Sequence, residues 1–187
     1  MTITKLDDTC ALIVIDLQKG IVGLPTAHPS SEIVQRSSQL ARAFRARALP
    51  VVLVNVAGRA PGRTDSGPPK FVFPDNWTVL VPELEQQPND HLVTKNRIGA
   101  FLGTDLDAYL RQRGVTQIIL TGISTSSGVE ATARSAYDLG YNVVFVADAM
   151  TDLDPDMHRH SIEKVFPKLG ETGKTDDLLM LLNSHKL

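Results

Sequence analysis

The stretch 117–149 constrains the fold more than any other part of this sequence. It starts with the apolar run Gln117–Thr121, passes through the polar loop G-I-S-T-S-S-G into a small-residue helix over Gly128–Leu139, and turns at Gly140 into the apolar run Asn142–Val146. A strand, a helix and a strand joined this closely predict a right-handed crossover in a parallel sheet. The loop comes after the carboxyl end of one strand and before a helix, where such sheets bind ligands.

Further apolar segments complete the pattern of a parallel sheet. Ala11–Ile15 is apolar at every position, which is typical of a strand buried on both faces. Pro50 introduces V-V-L-V-N-V, His91–Lys95 is a shorter segment, and Glu171–Thr172 fits an edge strand. We therefore predict one domain over residues 1–187, with a Rossmann-like, three-layer α/β fold: a doubly wound, mostly parallel six-stranded sheet with helices on both faces.

Composition excludes several classes of partner. The net charge is -2 and no basic stripe is present, which argues against a nucleic-acid partner. The apolar runs are too short to cross a membrane, and the N-terminal M-T-I-T-K-L-D-D has no apolar signal core, so we expect a cytoplasmic protein. The single cysteine, Cys10, excludes an intramolecular disulfide, and we expect it to be buried in the first strand.

Polar groups stand at three predicted strand ends. Asp16 stops the first strand, Lys95 stops the third, and the loop 122–128 follows the fourth. A single charged residue at such a position is often only a solvated edge. Because parallel strands place their carboxyl ends at one rim of the sheet, three such ends can converge, and we predict that Asp16, Lys95 and the loop form a site.

Long motifs in the same order resemble the isochorismatase-like hydrolase family. They are A-L-I-V-I-D-L-Q (11–18), K-N-R-I-G-A-F-L-G-T-D-L (95–106), G-I-S-T-S-S-G-V-E-A-T-A-R-S-A-Y-D-L-G-Y (122–141) and V-V-F-V-A-D-A (143–149). Most members of that family use an Asp, Lys and Cys triad. The resemblance assigns the Asp to Asp16 and the Lys to Lys95, and it places Gly128 where the nucleophilic Cys stands in the family's amidases.

The missing thiol decides between two chemistries of that family. Without sulfur at Gly128 the covalent route through a thiolate is closed, and Cys10, six residues before Asp16 along a strand, lies roughly 20 Å away. True isochorismatases also have Gly at this position and use an Asp as general acid on a vinyl ether. That role requires the pKa of Asp16 to be raised, by burial or by loss of charge stabilisation, whereas a neighbouring Lys95 would lower it.

Residues around these positions are candidates for substrate binding. The set consists of residues close after the two charged strand ends and of residues in the loop: Gln18, Arg97, Phe101, Ile123, Ser124, Thr125 and Ser127. Alternative interpretations remain open, since Gln18 can order the loop, Arg97 can be a surface residue, Phe101 can belong to the core, and the loop hydroxyls can cap the helix. The backbone N–H groups of Ser127 and Gly128 are candidates for an oxyanion site.

The resemblance has further implications for the structure. It places a cis peptide bond at Ile123–Ser124. It also implies assembly into a homodimer or homotetramer through the helix after the loop and through the long segment 57–77, where Trp77 is either a lid or a subunit contact.

No cofactor is expected. The five histidines form no metal-binding motif, so we expect no metal ligands, and no glycine fingerprint for a nucleotide phosphate is present.

The sequence thus predicts a cofactor-free hydrolase acting on a small, anionic metabolite, with Asp16 as acid and base, Lys95 as its charge partner and Gly128 in the anion-binding loop. The loop reads G-I-S-T-S where true isochorismatases carry G-V-Y-A-H, so the resemblance does not name the substrate. Two alternatives stay open. One is a catalytically inactive member that binds a small ligand. The other is a serine-assisted amide hydrolase that uses one of the loop hydroxyls, Ser124 to Ser127.

Overall fold

The structure is a computed structural model that describes residues 3–65, 67 and 74–184. The strands are β1 (Cys10–Ile15), β2 (Val51–Val56), β3 (His91–Lys95), β4 (Gln117–Ile123), β5 (Asn142–Thr151) and β6 (Glu171–Gly173). The helices are α1 (Lys19–Val22), α2 (Ser30–Arg45), α3 (Leu106–Gln112), α4 (Glu130–Asp138), α5 (Pro155–His160) and α6 (Thr175–Ser184). A π-helical turn, Thr125–Val129, joins β4 to α4.

The six strands form one sheet in the order β3-β2-β1-β4-β5-β6, and all neighbouring strands pair in parallel. Helices α2 and α6 pack on one face, and α3 and α4 pack on the other. This arrangement confirms the predicted three-layer α/β fold. The strand order reverses at β1, which places β1 in the middle of the sheet with β2 and β4 on either side.

Strand β1 shows why its sequence is apolar throughout. Leu12 and Val14 point into the core beneath α2 and α6, whereas Ala11, Ile13 and Ile15 point into the core beneath α3 and α4. Since both faces of the central strand are covered, no position can be polar until the strand ends at Asp16.

Two boundaries differ from the sequence prediction. Helix α4 begins at Glu130 instead of Gly128, because residues 125–129 form the π-helical turn. Strand β5 continues to Thr151 instead of ending at Val146: its pairing with β4 shifts from Leu120 opposite Phe145 to Gly122 opposite Met150. The extra residues of β5 form a bulge, and after the bulge the strand returns to pair beside the loop.

The carboxyl end of β4 lies very close to β1. Gly122 has φ +116°, and a Cβ atom at this position would overlap the carbonyl oxygen of Ile15. Only glycine permits this conformation and this approach. The close contact brings Asp16, the residue after β1, beside the loop that follows β4.

Within the described residues, no helix is long and apolar enough to span a membrane.

Candidate active site

Asp16 and Lys95 meet at the rim of the sheet, as the sequence predicted from the ends of their strands. Lys95 ends β3, two strands away from β1, a gap of about 10 Å between backbones. Its long side chain crosses the end of β2, and Nζ donates to Asp16 Oδ2 at 2.7 Å. Asp16 is 5% exposed and Lys95 is 2% exposed, so this is a buried ion pair.

The Asp16 carboxyl group is held at one oxygen only. Oδ2 accepts from Lys95, while the buried Oδ1 has no hydrogen-bond partner in the described part of the chain. Burial raises the pKa of Asp16 to about 6, against the lowering effect of the Lys95 charge and hydrogen bond. The two opposing influences that the sequence identified are therefore resolved in favour of burial, and the carboxyl group can carry a proton near neutral pH.

Gly128 lies against this pair. A Cβ atom built at Gly128 would lie 3.2 Å from Asp16 Oδ2 and 3.0 Å from Cγ2 of Ile15. The backbone of residue 128 thus stands close to the carboxylate, and a side chain at this position would touch Asp16. Gly128 also lines the neighbouring cavity.

A cavity of about 190 Å³ lies at this rim. It is lined by Asp16, Ile21, Val56, Gly58, Arg59, Lys95, Arg97, Ile98, Ile123, Ser124, Ser127 and Gly128. Four of the predicted binding residues are among them: Arg97, Ile123, Ser124 and Ser127. Three cationic side chains and one carboxyl group line the cavity, so its electrostatic potential favours an anion.

Three other residues predicted to bind substrate do not line the cavity. Gln18 is fully buried: its Nε2 donates to the carbonyl oxygens of Val56 and Trp77, and its Oε1 accepts from the Val56 N–H. Its amide therefore orders the loop, which was the alternative interpretation.

Phe101 and Thr125 are also directed elsewhere. Phe101 packs in the core against Tyr141, with ring centroids 5.9 Å apart. Thr125 is fully buried, and its hydroxyl bonds to His158 Nδ1 at 2.8 Å. For these side chains, packing and buried hydrogen bonds replace the expected contact with a substrate.

The loop between β4 and α4 makes its own hydrogen bonds. The Ile123–Ser124 peptide bond is cis, as the resemblance implied. The carbonyl oxygen of Ser124 accepts from the N–H groups of Ser127 at 3.2 Å and Val129 at 3.1 Å. The Ser127 N–H is therefore committed within the turn, which corrects its assignment as an oxyanion donor.

Sequence reasoning missed several residues around this site. Arg59, in the segment after β2, lines the cavity. Asp152 and His158 lie behind the loop, and Asp152 Oδ2 accepts both the N–H and the hydroxyl of Ser126 at 2.7 Å. The only signal for Asp152 was its place shortly after an apolar strand, and that strand was predicted to end too early.

Other candidate groups are separate from the cavity. Cys10 is buried at the amino end of β1, opposite Gln117 of β4, and burial raises the pKa of its thiol to about 12. In the described ranges, no group of three or more His, Cys, Asp or Glu side chains could hold a metal ion.

The segment 57–77 falls partly outside the described residues. Within it, the Trp77 indole packs on Gly20 of α1 and donates to Val56 O at 3.2 Å.

Comparison with known proteins identifies the family. The sequence matches the isochorismatase domain family over residues 10–177. It is 40% identical over 183 residues to the isochorismatase family protein YecD of Escherichia coli O157:H7, a match that covers 93% of this chain and 96% of YecD. It is also 36% identical over 146 residues to a streptothricin hydrolase of Streptomyces noursei, covering 77% of this chain and 50% of that hydrolase.

A solved structure gives the same result. The isochorismatase family protein from Burkholderia thailandensis matches with a TM-score of 0.92 and 43% sequence identity, covering 96% of this chain and 98% of that chain.

Proposed function

The chain belongs to the isochorismatase family of hydrolases, and we propose that it acts without a thiol nucleophile on a small, anionic metabolite, by proton transfer through Asp16. It would belong to the branch of the family in which Gly128 takes the place of the nucleophilic Cys. The observation that carries this proposal is the Asp16 carboxyl group, which is buried beside Gly128 with one oxygen on Lys95 and the other without a partner.

The state of Asp16 suits a general acid. With a pKa of about 6, a large fraction of the carboxyl groups is protonated in mildly acidic solution. Lys95 holds Oδ2, so the proton belongs on Oδ1. The protonated carboxyl group gives this proton to the substrate, water adds to the cation that results, and the carboxylate takes back a proton from the added water. The cycle needs no sulfur and consumes only water.

The size and charge of the cavity favour a small anion. The volume of about 190 Å³ lies below the range of roughly 300–1,000 Å³ that is usual for pockets of drug-sized ligands. Lys95, Arg59 and Arg97 face one carboxyl group there, and Arg guanidinium groups bind carboxylates and phosphates through paired donors. These two features support a compact substrate with a carboxylate or a similar anionic group.

The loop hydroxyls give less support to serine-assisted hydrolysis. Ser126 is bonded to Asp152 and does not line the cavity. Ser127 lines the cavity, but no hydrogen bond joins its hydroxyl to Asp16 within the part of the chain that the structure describes. A serine nucleophile requires such a base, so proton transfer through Asp16 fits the geometry better.

A substrate screen with a matched pair of variants tests the proposal. Isochorismate, other anionic vinyl ethers, simple amides and carbamates are incubated with the wild type, with Asp16→Asn and with Glu163→Gln, which removes an exposed carboxylate outside the cavity. We expect turnover of an anionic compound by the wild type, a loss of ~100-fold or more in Asp16→Asn, and no change in Glu163→Gln.

Two outcomes would count against proton transfer. Full turnover by Asp16→Asn would show that Asp16 takes no part in the reaction. Tight binding of a compound by the wild type without turnover would instead identify a binding protein that has lost catalysis.

A further inference from the structure

Hydrogen bonds tie the π-helical turn to Asp152, the residue that follows β5. The N–H of Ser126 has its acceptor outside the turn, at Asp152 Oδ2, 2.7 Å away. The same oxygen accepts the Ser126 hydroxyl at 2.7 Å, and Asp152 Oδ1 accepts the N–H of Leu153 at 2.8 Å. Asp152 is 5% exposed, and these three hydrogen bonds stabilise its buried carboxylate.

A second tie connects the turn to α5. The Thr125 hydroxyl, which is fully buried, bonds to His158 Nδ1 at 2.8 Å. Burial, and then the neighbouring His28, lower the pKa of His158, whereas Asp152 raises it. The imidazole is therefore neutral near pH 7. Helix α5 itself is fixed at its start, because Asp154 accepts from the N–H groups of Asp156 and Met157.

The two ties lie on the side of the turn opposite the cavity. Thr125 and Ser126 point back towards β5 and α5, whereas Ser127 and Gly128 line the cavity beside Asp16. The turn has only five residues and is closed by hydrogen bonds from Ser127 and Val129 to the Ser124 carbonyl oxygen. A shift of Thr125 and Ser126 therefore moves the Gly128 backbone relative to the Asp16 carboxyl group. Displacements of about 1 Å at a reacting group cost enzymes up to ~100-fold in rate.

We propose that Asp152 and His158 are positioning residues: through Ser126 and Thr125 they hold the turn that carries Gly128 against Asp16. This inference rests on the proposed function, since it concerns the same site. It makes the bulge of β5 a functional feature, because the bulge returns the strand to β4 and so delivers Asp152 to the loop.

Asp152→Asn is the principal test, with Asp156→Asn as the charge-matched control. The nearby Asp156 is exposed, and its carboxylate forms an ion pair with Arg159 at 2.9 Å. An Asn side chain has one acceptor oxygen, so it cannot serve the N–H groups of both Ser126 and Leu153. The measurement is the titration midpoint of the Asp16 carboxyl group by ¹³C NMR, together with kcat and KM on the compound found in the screen.

We expect the Asp16 midpoint, about 6 in the wild type, to fall by about one pH unit in Asp152→Asn, because a displaced turn admits water to the carboxyl group. We also expect kcat to fall ~10- to 100-fold with little change in KM. Asp156→Asn should match the wild type in both respects. A folded Asp152→Asn protein with the wild-type midpoint and kcat would overturn the proposal.

A charge-neutral variant covers the case in which Asp152→Asn does not fold. The double variant Thr125→Val, Ser126→Ala removes both hydroxyl ties, and Ser135→Ala, whose hydroxyl bonds only within α4, is its control. The same drop in the Asp16 midpoint is expected, and an unchanged midpoint would refute the positioning role.

The titration needs no substrate. If no compound is turned over, the proposed function fails, while the NMR midpoints still decide whether Asp152 and His158 position the turn.

Discussion

Asp16 is the residue at which opposing physical effects decide the chemistry. Burial favours its neutral form, and Lys95 at 2.7 Å favours its ionised form. Burial prevails because Asp16 follows a strand that is covered on both faces, so the carboxyl group is at the sheet rim but still under the loop. Removing the Lys95 charge would raise the pKa of Asp16, and exposing the carboxyl group to water would lower it.

The pH dependence of turnover follows from this balance. In the proposed mechanism the protonated carboxyl group is the active form, so we expect kcat/KM of the wild type to be high below about pH 6 and to fall as the pH rises through that value. In Lys95→Met the lowering influence is lost, and the midpoint should move up by about one pH unit or more, at reduced activity. Lys5→Met, which removes a lysine that is exposed, should leave the midpoint in place.

The measurement is kcat/KM from about pH 3 to 8 on the compound found in the screen. A decline centred near the ordinary Asp value of about 4, or no decline up to pH 8, would contradict a protonated Asp16 as the acid.

Gly128→Cys should introduce thiol chemistry into the same site. The new Cβ would lie 3.2 Å from Asp16 Oδ2, so the thiol would stand beside the Asp16–Lys95 pair. The Lys95 ammonium group lowers the pKa of a thiol, and the Asp16 carboxylate can accept its proton. We expect slow hydrolysis of simple amides or carbamates and rapid alkylation by iodoacetamide at pH 7. The wild-type thiol, Cys10, is buried and should not react.

Gly128→Ala is the steric control for this variant. Both substitutions press on Ile15 Cγ2 at 3.0 Å, so both should lower the melting temperature by a similar small amount. If Gly128→Cys is folded but neither hydrolyses amides nor reacts with iodoacetamide, Asp16 and Lys95 do not stand in triad geometry.

Elements of the site differ in how far the sequence predicts them. Asp16 and Lys95 were found because each is a charged residue that stops an apolar strand, and parallel strands place such ends at one rim. Asp152 was not found, because Asp148 interrupts the apolar run of β5 and made the strand seem to end. In the structure Asp148 accepts from the N–H and hydroxyl of Thr175, and β5 continues past it. Such a bulge depends on pairing with β4, which a local pattern does not contain.

The pairing of β1 with β4 depends on Gly122, and Gly122→Ala should disrupt it. The φ of +116° is unfavourable for alanine, and the methyl group would overlap the Ile15 carbonyl oxygen. We expect a loss of about 3 kcal/mol or more in the free energy of unfolding, measured by urea denaturation. Gly62→Ala, at a site with open space, should change it by less than about 0.5 kcal/mol.

A stable Gly122→Ala protein would show that β1 and β4 can separate at this end without loss of the fold. In that case Asp16 should lose its contact with the loop, and its titration midpoint would fall even though the chain remains folded.

At the scale of the whole molecule, the site draws on distant parts of the chain. Asp16, Lys95 and Gly128 come from three strand ends, and the inferred support comes from β5 and α5. The sheet order brings them together, so fold class and family were sufficient to predict that these three residues meet. Arg59 and Asp152 also lie around the site, but they were not predicted. They follow β2 and the bulged strand β5, in segments whose paths depend on tertiary contacts.

The assembly of the chain remains a prediction from the resemblance, and α4 is the helix that it names. Tyr137 on α4 is 53% exposed and Leu139, just after it, is 38% exposed. Aromatic and aliphatic side chains at such positions are typical of protein interfaces. We expect light scattering after gel filtration to give two or four times the mass of one chain, and Tyr137→Glu to lower that mass because a carboxylate in an apolar contact is costly.

Met180→Glu is the matched control for this substitution. Met180 is 64% exposed on α6, on the opposite face of the sheet, so the same change of charge and polarity should leave the mass unaffected. A wild-type mass of one chain would contradict assembly itself. A Tyr137→Glu protein that keeps the wild-type mass would instead move the contact away from α4, and a loss of mass in Met180→Glu alone would place it on the α2 and α6 layer.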